Sequence, residues 1–177
     1  MERCLDNYHR IAHGKLGGCE DFSISDVAFG NNRVYSYGIV CDGCGASDLA
    51  ALGAQVLALS YEKVLRRYLN YADYWDDPDR LDYLIDEALA ELDIVAKQLK
   101  VSICDLFATL LVFVECEGKI YYLIYGDGGV FWKDEFGLSG RWVTFSNNCP
   151  NYPIYELLGG YNRFAVQMGA ENEHVER

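Results

Sequence analysis

Apolar and polar positions alternate, with lapses, from Phe22 to Phe29 and again through the Val-, Ile- and Tyr-rich run from Val34 to Cys41, with Gly30-Asn31-Asn32 between them. Period-two alternation marks strands with one buried face, and the turn signal predicts that the two form a β-hairpin. From Ser47-Asp48 the period lengthens: Leu49, Leu52, Val56, Leu59, Leu65 and Leu69 recur near helical spacing, with Ser47 or Asp48 placed to cap the first turn. Asp73 to Pro78 breaks this helix. Asp79 is then placed to cap a second one, whose Leu81, Leu84, Ile85, Ala88, Leu89, Leu92, Ala96 and Leu99 fall on one face.

Strand character returns in Phe107 to Cys116 and Lys119 to Tyr125, joined at Glu117-Gly118 as a tight hairpin, and again in Val130 to Lys133 and Arg141 to Phe145. Asn147 to Tyr161 reads as a surface loop with at most a short helical turn, Phe164 to Met168 as a last strand, and the charged tail from Glu171 as frayed. Residues 1–19 form a lead-in with room for one early strand. Paired strands, paired helices and paired strands again do not make the βαβ alternation of a parallel sheet. The pattern predicts an α+β domain of antiparallel sheets covered by helices.

Composition narrows the function classes. Of 177 residues, 51% are apolar, with 14 Tyr, 8 Phe and 3 Trp, enough for a packed core. Fifteen Lys and Arg against 27 Asp and Glu leave a formal charge of −12, which repels nucleic acid, and no basic stripe offsets it. No apolar run approaches the roughly 20 residues that a membrane-spanning helix needs. Seven irregularly spaced cysteines with no secretory leader fit reduced thiols in the cytoplasm. His9, His13 and His174 read as surface residues, and Tyr68, Tyr71, Tyr74 and Trp75 as a rim between the helices rather than a base-stacking platform.

Three acidic turns stand out: Glu20-Asp21, Asp42-Gly43-Cys44-Gly45 and Gly126-Asp127-Gly128-Gly129. Each sets a carboxylate where a strand gives way to a turn. Carboxylates gathered at strand ends repel unless a cation lies among them, and all-oxygen donors suit Mg²⁺ or Mn²⁺. Each motif also has a plain reading: Asp42 capping a strand-to-helix turn, Asp127-Gly128-Gly129 as a β-turn, Glu20-Asp21 as a solvated pair.

Taken in order, an acidic pair opening a strand, Asp42-Gly43-Cys44-Gly45 before a long helix, Ala108-Thr109 before a strand and Gly126-Asp127 after the next, the chain resembles the metal-dependent protein phosphatases of the PP2C type. The resemblance runs from about Glu20 to Gly129. It implies a four-layer α-β-β-α sandwich of two antiparallel sheets and the hydrolysis of phosphoserine and phosphothreonine in proteins by a metal-activated water. It also implies two or more Mn²⁺ or Mg²⁺ ions. By this resemblance Asp42 bridges two metals, the Gly43 carbonyl ligates one, Glu20 and Asp21 ligate metal or hold its waters, and Asp127 serves a further ion. Asp42 and Asp21 carry the catalytic role. The implied partners are phosphorylated proteins and a cognate serine/threonine kinase or its targets, with no nucleic acid and no membrane.

Two departures accompany the resemblance. Where the family carries an arginine for the substrate phosphate this chain has Leu16, leaving Lys15 or Arg10 as substitutes; a lysine gives a point charge, not a bidentate fork. The family's two late metal-binding aspartates have no counterpart before Arg177. Residues 1–177 are therefore expected to form one domain lacking its last elements, or a variant that binds a phosphoprotein or partner chain without catalysis. A further alternative is a thiol redox protein using the Cys41-x-x-Cys44 pair.

Overall fold

The computed structural model describes residues 19–71, 79–145, 150–160 and 173–176. β1 (Phe22–Gly30) and β2 (Arg33–Cys41) form the expected hairpin, and Asn31 and Asn32 take φ of 46° and 60°. That two-residue loop has the twist the flanking strands require. Then follow α1 (Ala50–Tyr68), α2 (Arg80–Leu99), a 3-10 turn over Ile103–Asp105, β3 (Leu110–Cys116), β4 (Lys119–Tyr125), β5 (Gly128–Asp134) and β6 (Gly137–Phe145). A 3-10 helix (Pro153–Leu158) and a short β7 (Glu173–Glu176) complete the order.

One sheet has the order β1-β2-β3-β4 and the other β5-β6-β7, and every pairing is antiparallel. Tyr35, Tyr37, Ile39 and Cys41 of β2 alternate inward, as do Leu110, Val112 and Val114 of β3, and both helices lie on this face. Leu57, Tyr61, Val64 and Leu65 of α1 and Leu84, Leu89 and Leu92 of α2 complete the core. Burying each such aliphatic chain contributes about 1.5–3 kcal/mol, so this seam rather than helix propensity fixes the helices. Two phenols make the joints specific: Tyr61 donates to the Leu81 carbonyl at 2.7 Å, and Tyr37 donates to Glu62 at 2.6 Å.

The second sheet meets the opposite face of the first. A Cβ on Gly128 would lie 2.8 Å from the Leu111 side chain, and Tyr122 stacks on Trp132 with ring centroids 5.7 Å apart. The α+β class with two antiparallel sheets and helices is observed; among the described residues both helices pack on the first sheet.

Several expectations need correction. α1 starts at Ala50 with Leu49 at its cap position and no side-chain cap, so neither Ser47 nor Asp48 caps it, and the Leu49 N–H donates instead to the Asp105 carbonyl at 3.2 Å; Asp79 stands at the cap position of α2 but makes no side-chain cap bond. Leu59 and Leu99, placed on the core faces by spacing, are exposed because Ala58 and Tyr61, and Leu92 and Ala96, take the inward positions. The charged tail is not frayed over Glu173–Glu176: it pairs with β6, Val143 opposite Val175, because backbone hydrogen bonding does not depend on side-chain charge. An early strand in the lead-in, Tyr74 and Trp75 of the rim, and a strand at Phe164 to Met168 lie outside the described residues.

Candidate metal centre at one end of the first sheet

Strand register decides which motifs meet. Phe22 faces Cys41, Val40 faces Leu111 and Leu110 faces Tyr125. Extended past the strand ends, these pairings put Asp21, Asp42, Thr109 and Gly126 in one row across four strands, and Glu20, Gly43, Ala108 and Asp127 in the next. Direct contacts bear the extension out. Gly43 bridges Ala108, Gly43 N–H donates to the Glu20 carbonyl at 3.2 Å, and Thr109 N–H donates to the Asp42 carbonyl at 2.8 Å.

The first row places Asp21 opposite Asp42. With Glu20 and Gly43 in the hydrogen-bonded position, Asp21 and Asp42 occupy the non-hydrogen-bonded one, where Cα atoms are about 4.5 Å apart and side chains come closest. Like charges directly opposite destabilise a strand pair, and a cation between them reverses the sign. Asp42 is exposed and Asp21 half-buried. The outer face of this hairpin end is therefore an anionic seat facing solvent.

Gly43 has a separate reason to be glycine. A Cβ there would lie 2.6 Å from the Ala50 carbonyl oxygen and 2.7 Å from that of Glu20, so any side chain would push α1 off the strand end. Its bridge to Ala108 is of the non-hydrogen-bonded kind, with bonds running through the Asp42 carbonyl and the Cys44 N–H on either side. The Gly43 N–H and carbonyl consequently both face the Glu20 segment. Glu20 folds its carboxylate over the same turn: a Cβ on Gly45 would sit 3.3 Å from Glu20 Oε2. Glu20 and the Gly43 carbonyl thus share one flank.

Thr109 links the halves of the row. Buried at 2% exposure, it accepts from the Asp42 N–H at 3.0 Å through Oγ1, while its methyl group fills the place where a Gly126 side chain would be, 2.6 Å from an ideal Cβ. Gly126 itself has φ of 96°, a turn that L side chains resist. Asp127 follows on the far strand, three strand spacings or roughly 14 Å from Glu20. The register thus brings Glu20, Asp21, Asp42 and Gly43 together and leaves Asp127 at the far side of the same edge. Among the described residues no three Asp, Glu, His or Cys side chains converge to metal-ligand geometry.

Sequence reasoning missed Tyr152. Its ring stacks on Phe107 at 5.6 Å and 5°, meets Tyr155 edge-on at 5.7 Å, and its hydroxyl is hydrogen-bonded to the Cys44 thiol. Burial first, then that bond and the charge of Asp127, push the phenol well above the ordinary tyrosine value. The signal for it was slight: a Pro-Asn-Tyr-Pro loop reads only as a loop. Arg141 was missed too; it lines a cleft of about 520 Å³ along β4 with Asp79, Asp82, Tyr125 and Asn151, bordered by Gly126.

The Cys41-x-x-Cys44 alternative does not survive the pleat. Residues three apart on an extended strand point to opposite faces. Cys41 is fully buried in the core, where burial and the neighbouring Asp42 charge push its thiol far up, whereas Cys44 is half-buried on the outer face. Lys15, Leu16 and Arg10 lie outside the described residues.

In donor type the set suits a hard cation, three carboxylates and a backbone carbonyl, although the three carboxylates do not converge on one point. A family model described as Protein phosphatase 2C matches residues 18–148, a span that contains Glu20, Asp21, Asp42, Gly43, Thr109 and Asp127 and stops short of Tyr152. No curated protein and no solved structure matches the chain.

Proposed function

This chain belongs to the protein phosphatase 2C family, and from that premise we propose that it hydrolyses phosphoserine and phosphothreonine in proteins with a water activated by Mg²⁺ or Mn²⁺. The observation that carries the reading is the register that sets Asp21 opposite Asp42, a repulsive pair without a cation between them. Bound there, divalent ions would lower the pKa of a water toward neutrality and offset charge on the phosphoryl group.

The residues then divide the work. Asp42 and Asp21 would hold the ions, Glu20 and the Gly43 carbonyl would complete the flank nearest α1, and Asp127 would serve a further ion. Thr109 fixes the Asp42 backbone, so the carboxylate leaves a rigid strand rather than a loose turn. Lys15 supplies a charge for the substrate phosphate in place of the family's arginine. The partner is a phosphorylated protein, the product of a serine/threonine kinase, and the setting is the cytoplasm; among the described residues no helix is long and apolar enough to cross a membrane.

Leu16 at the arginine position favours a second reading, a domain of this fold that binds a phosphoprotein without turning it over. A phosphothreonine peptide assayed with Mn²⁺, beside calorimetric Mn²⁺ titration, separates the two. Phosphate release that EDTA and Asp42→Ala both abolish supports the hydrolase. Mn²⁺ binding without release supports the binding domain, and neither binding nor release sinks the metal-centre assignment.

A further inference from the structure

The register that pairs the acids also pairs two thiols. Gly30 faces Arg33 at the turn, Phe22 faces Cys41 at the far end, and the Gly43 N–H bond to the Glu20 carbonyl at 3.2 Å carries the same pairing two residues further. That single bond fits the hydrogen-bonded position of the β1–β2 register, and extending the register one residue further places Cys19 opposite Cys44 in the non-hydrogen-bonded position. Such pairs hold their Cα atoms about 4.5 Å apart with side chains on one face. That separation lies inside the roughly 4.4–6.8 Å that a disulfide spans.

The surroundings agree. Both residues are free thiols and both are half-buried, so neither is sealed from a small oxidant. Cys19 Sγ lies 3.6 Å from Asp21 Oδ2, which places it on the outer face with Asp21 and Asp42. Cys41, nearer to Cys44 in sequence, is in the core on the opposite face, and Cys104 is exposed on the 3-10 turn that precedes β3. Among the described residues, Cys19 is the cysteine that the register places across from Cys44.

We propose that Cys19 and Cys44 form a reversible cross-strand disulfide, a peroxide-responsive modification site that clasps the open end of β1 and β2 beside the Asp21 and Asp42 pair. One thiolate attacks hydrogen peroxide, the O–O bond breaks, and a sulfenic acid forms as hydroxide leaves and is protonated. The facing thiol attacks that sulfur, the S–S bond forms, and the S–O bond breaks to release a second water. Two thiols lose two electrons, and one peroxide becomes two waters. In a reducing cytoplasm, thiol exchange restores the pair.

The bond has two structural effects. It draws the Cys44 sulfur away from the Tyr152 hydroxyl and toward β1, and it fixes the strand ends that carry Glu20 and Gly43. The inference does not depend on phosphatase turnover, and neither does its test. The reduced chain is treated with one equivalent of hydrogen peroxide, the remaining thiols are alkylated under denaturing conditions, and peptides are mapped by mass. The expected product is a Cys19–Cys44 linked peptide two hydrogens lighter, with Cys44 labelling down at least tenfold and recovered by dithiothreitol. In Cys19→Ser that linkage is absent and Cys44 proceeds to sulfenic or sulfinic acid, whereas Cys104→Ser retains the linkage. A dominant linkage through Cys104, or Cys44 over-oxidised while Cys19 still alkylates in full, overturns the proposal.

Discussion

Thr109 shows how much one small side chain settles at the candidate centre. Its hydroxyl accepts the Asp42 N–H and its methyl group occupies the space that Gly126 leaves open. Thr109→Val keeps the shape and removes the acceptor, so denaturant unfolding should show a loss of about 1–2 kcal/mol; Thr109→Ser should recover most of it. Asp42→Asn acts on charge instead. With Asp21 directly opposite, the variant should raise the melting temperature of the metal-free protein by relieving repulsion worth up to about 1 kcal/mol. It should also cost more than the roughly 10–100-fold in Mn²⁺ affinity typical of losing a mere outer-shell partner. A metal-free variant no more stable than its parent would show that the two carboxylates do not face each other. The motif residues were legible because Asp-Gly turns and acidic pairs are local patterns. Thr109's double contact was not, since neither partner is near it in sequence.

At the scale of elements, the helices are held by apolar seams and by a few buried phenols. Tyr61 spans from α1 to the first turn of α2, and its hydroxyl is the partner of the Leu81 carbonyl. Tyr61→Phe should lower stability by about 1–2 kcal/mol without changing Mn²⁺ affinity, because the buried carbonyl loses its donor far from the acidic edge. The charged outer side of α1 matters less: Lys63 with Glu91 and Arg67 with Glu87 are exposed ion pairs, and such pairs contribute little. Periodicity gave the helices and the two hairpins within a few residues of their observed ends. It erred at Leu59, and at the start of α1, where the Leu49 bond to Asp105, distant in sequence, holds the first turn. The Cys41-x-x-Cys44 spacing misled for a related reason. It implies a turn that brings thiols together, but β2 runs straight through Cys41 and divides them between two faces.

At the scale of the whole molecule, pH and metal should act in characteristic directions. Burial holds the phenols of Tyr37, Tyr125 and Tyr152 above their ordinary value, helped by Glu62, Asp82 and Cys44 respectively. A group with a raised folded-state pKa contributes its stability fully below its unfolded value and loses it as pH rises. The denaturant midpoint should therefore hold steady up to about pH 10 and fall above it, in step with tyrosinate absorbance. Mn²⁺ should raise the melting temperature, by the equivalent of about 2.7 kcal/mol at one hundred times its dissociation constant, and Asp42→Ala should abolish the rise. The sequence by itself determined the α+β class, the hairpins, the two amphipathic helices and the acidic turns, because each is written in neighbours a few residues apart. Only the tertiary structure decided that Asp21 lines up with Asp42, that Cys41 and Cys44 lie on opposite faces, and that Asp127 stands across the sheet from Glu20. Those are matters of strand register, which depends on how distant segments pack, and a slip of one residue would turn every one of these side chains to the other face.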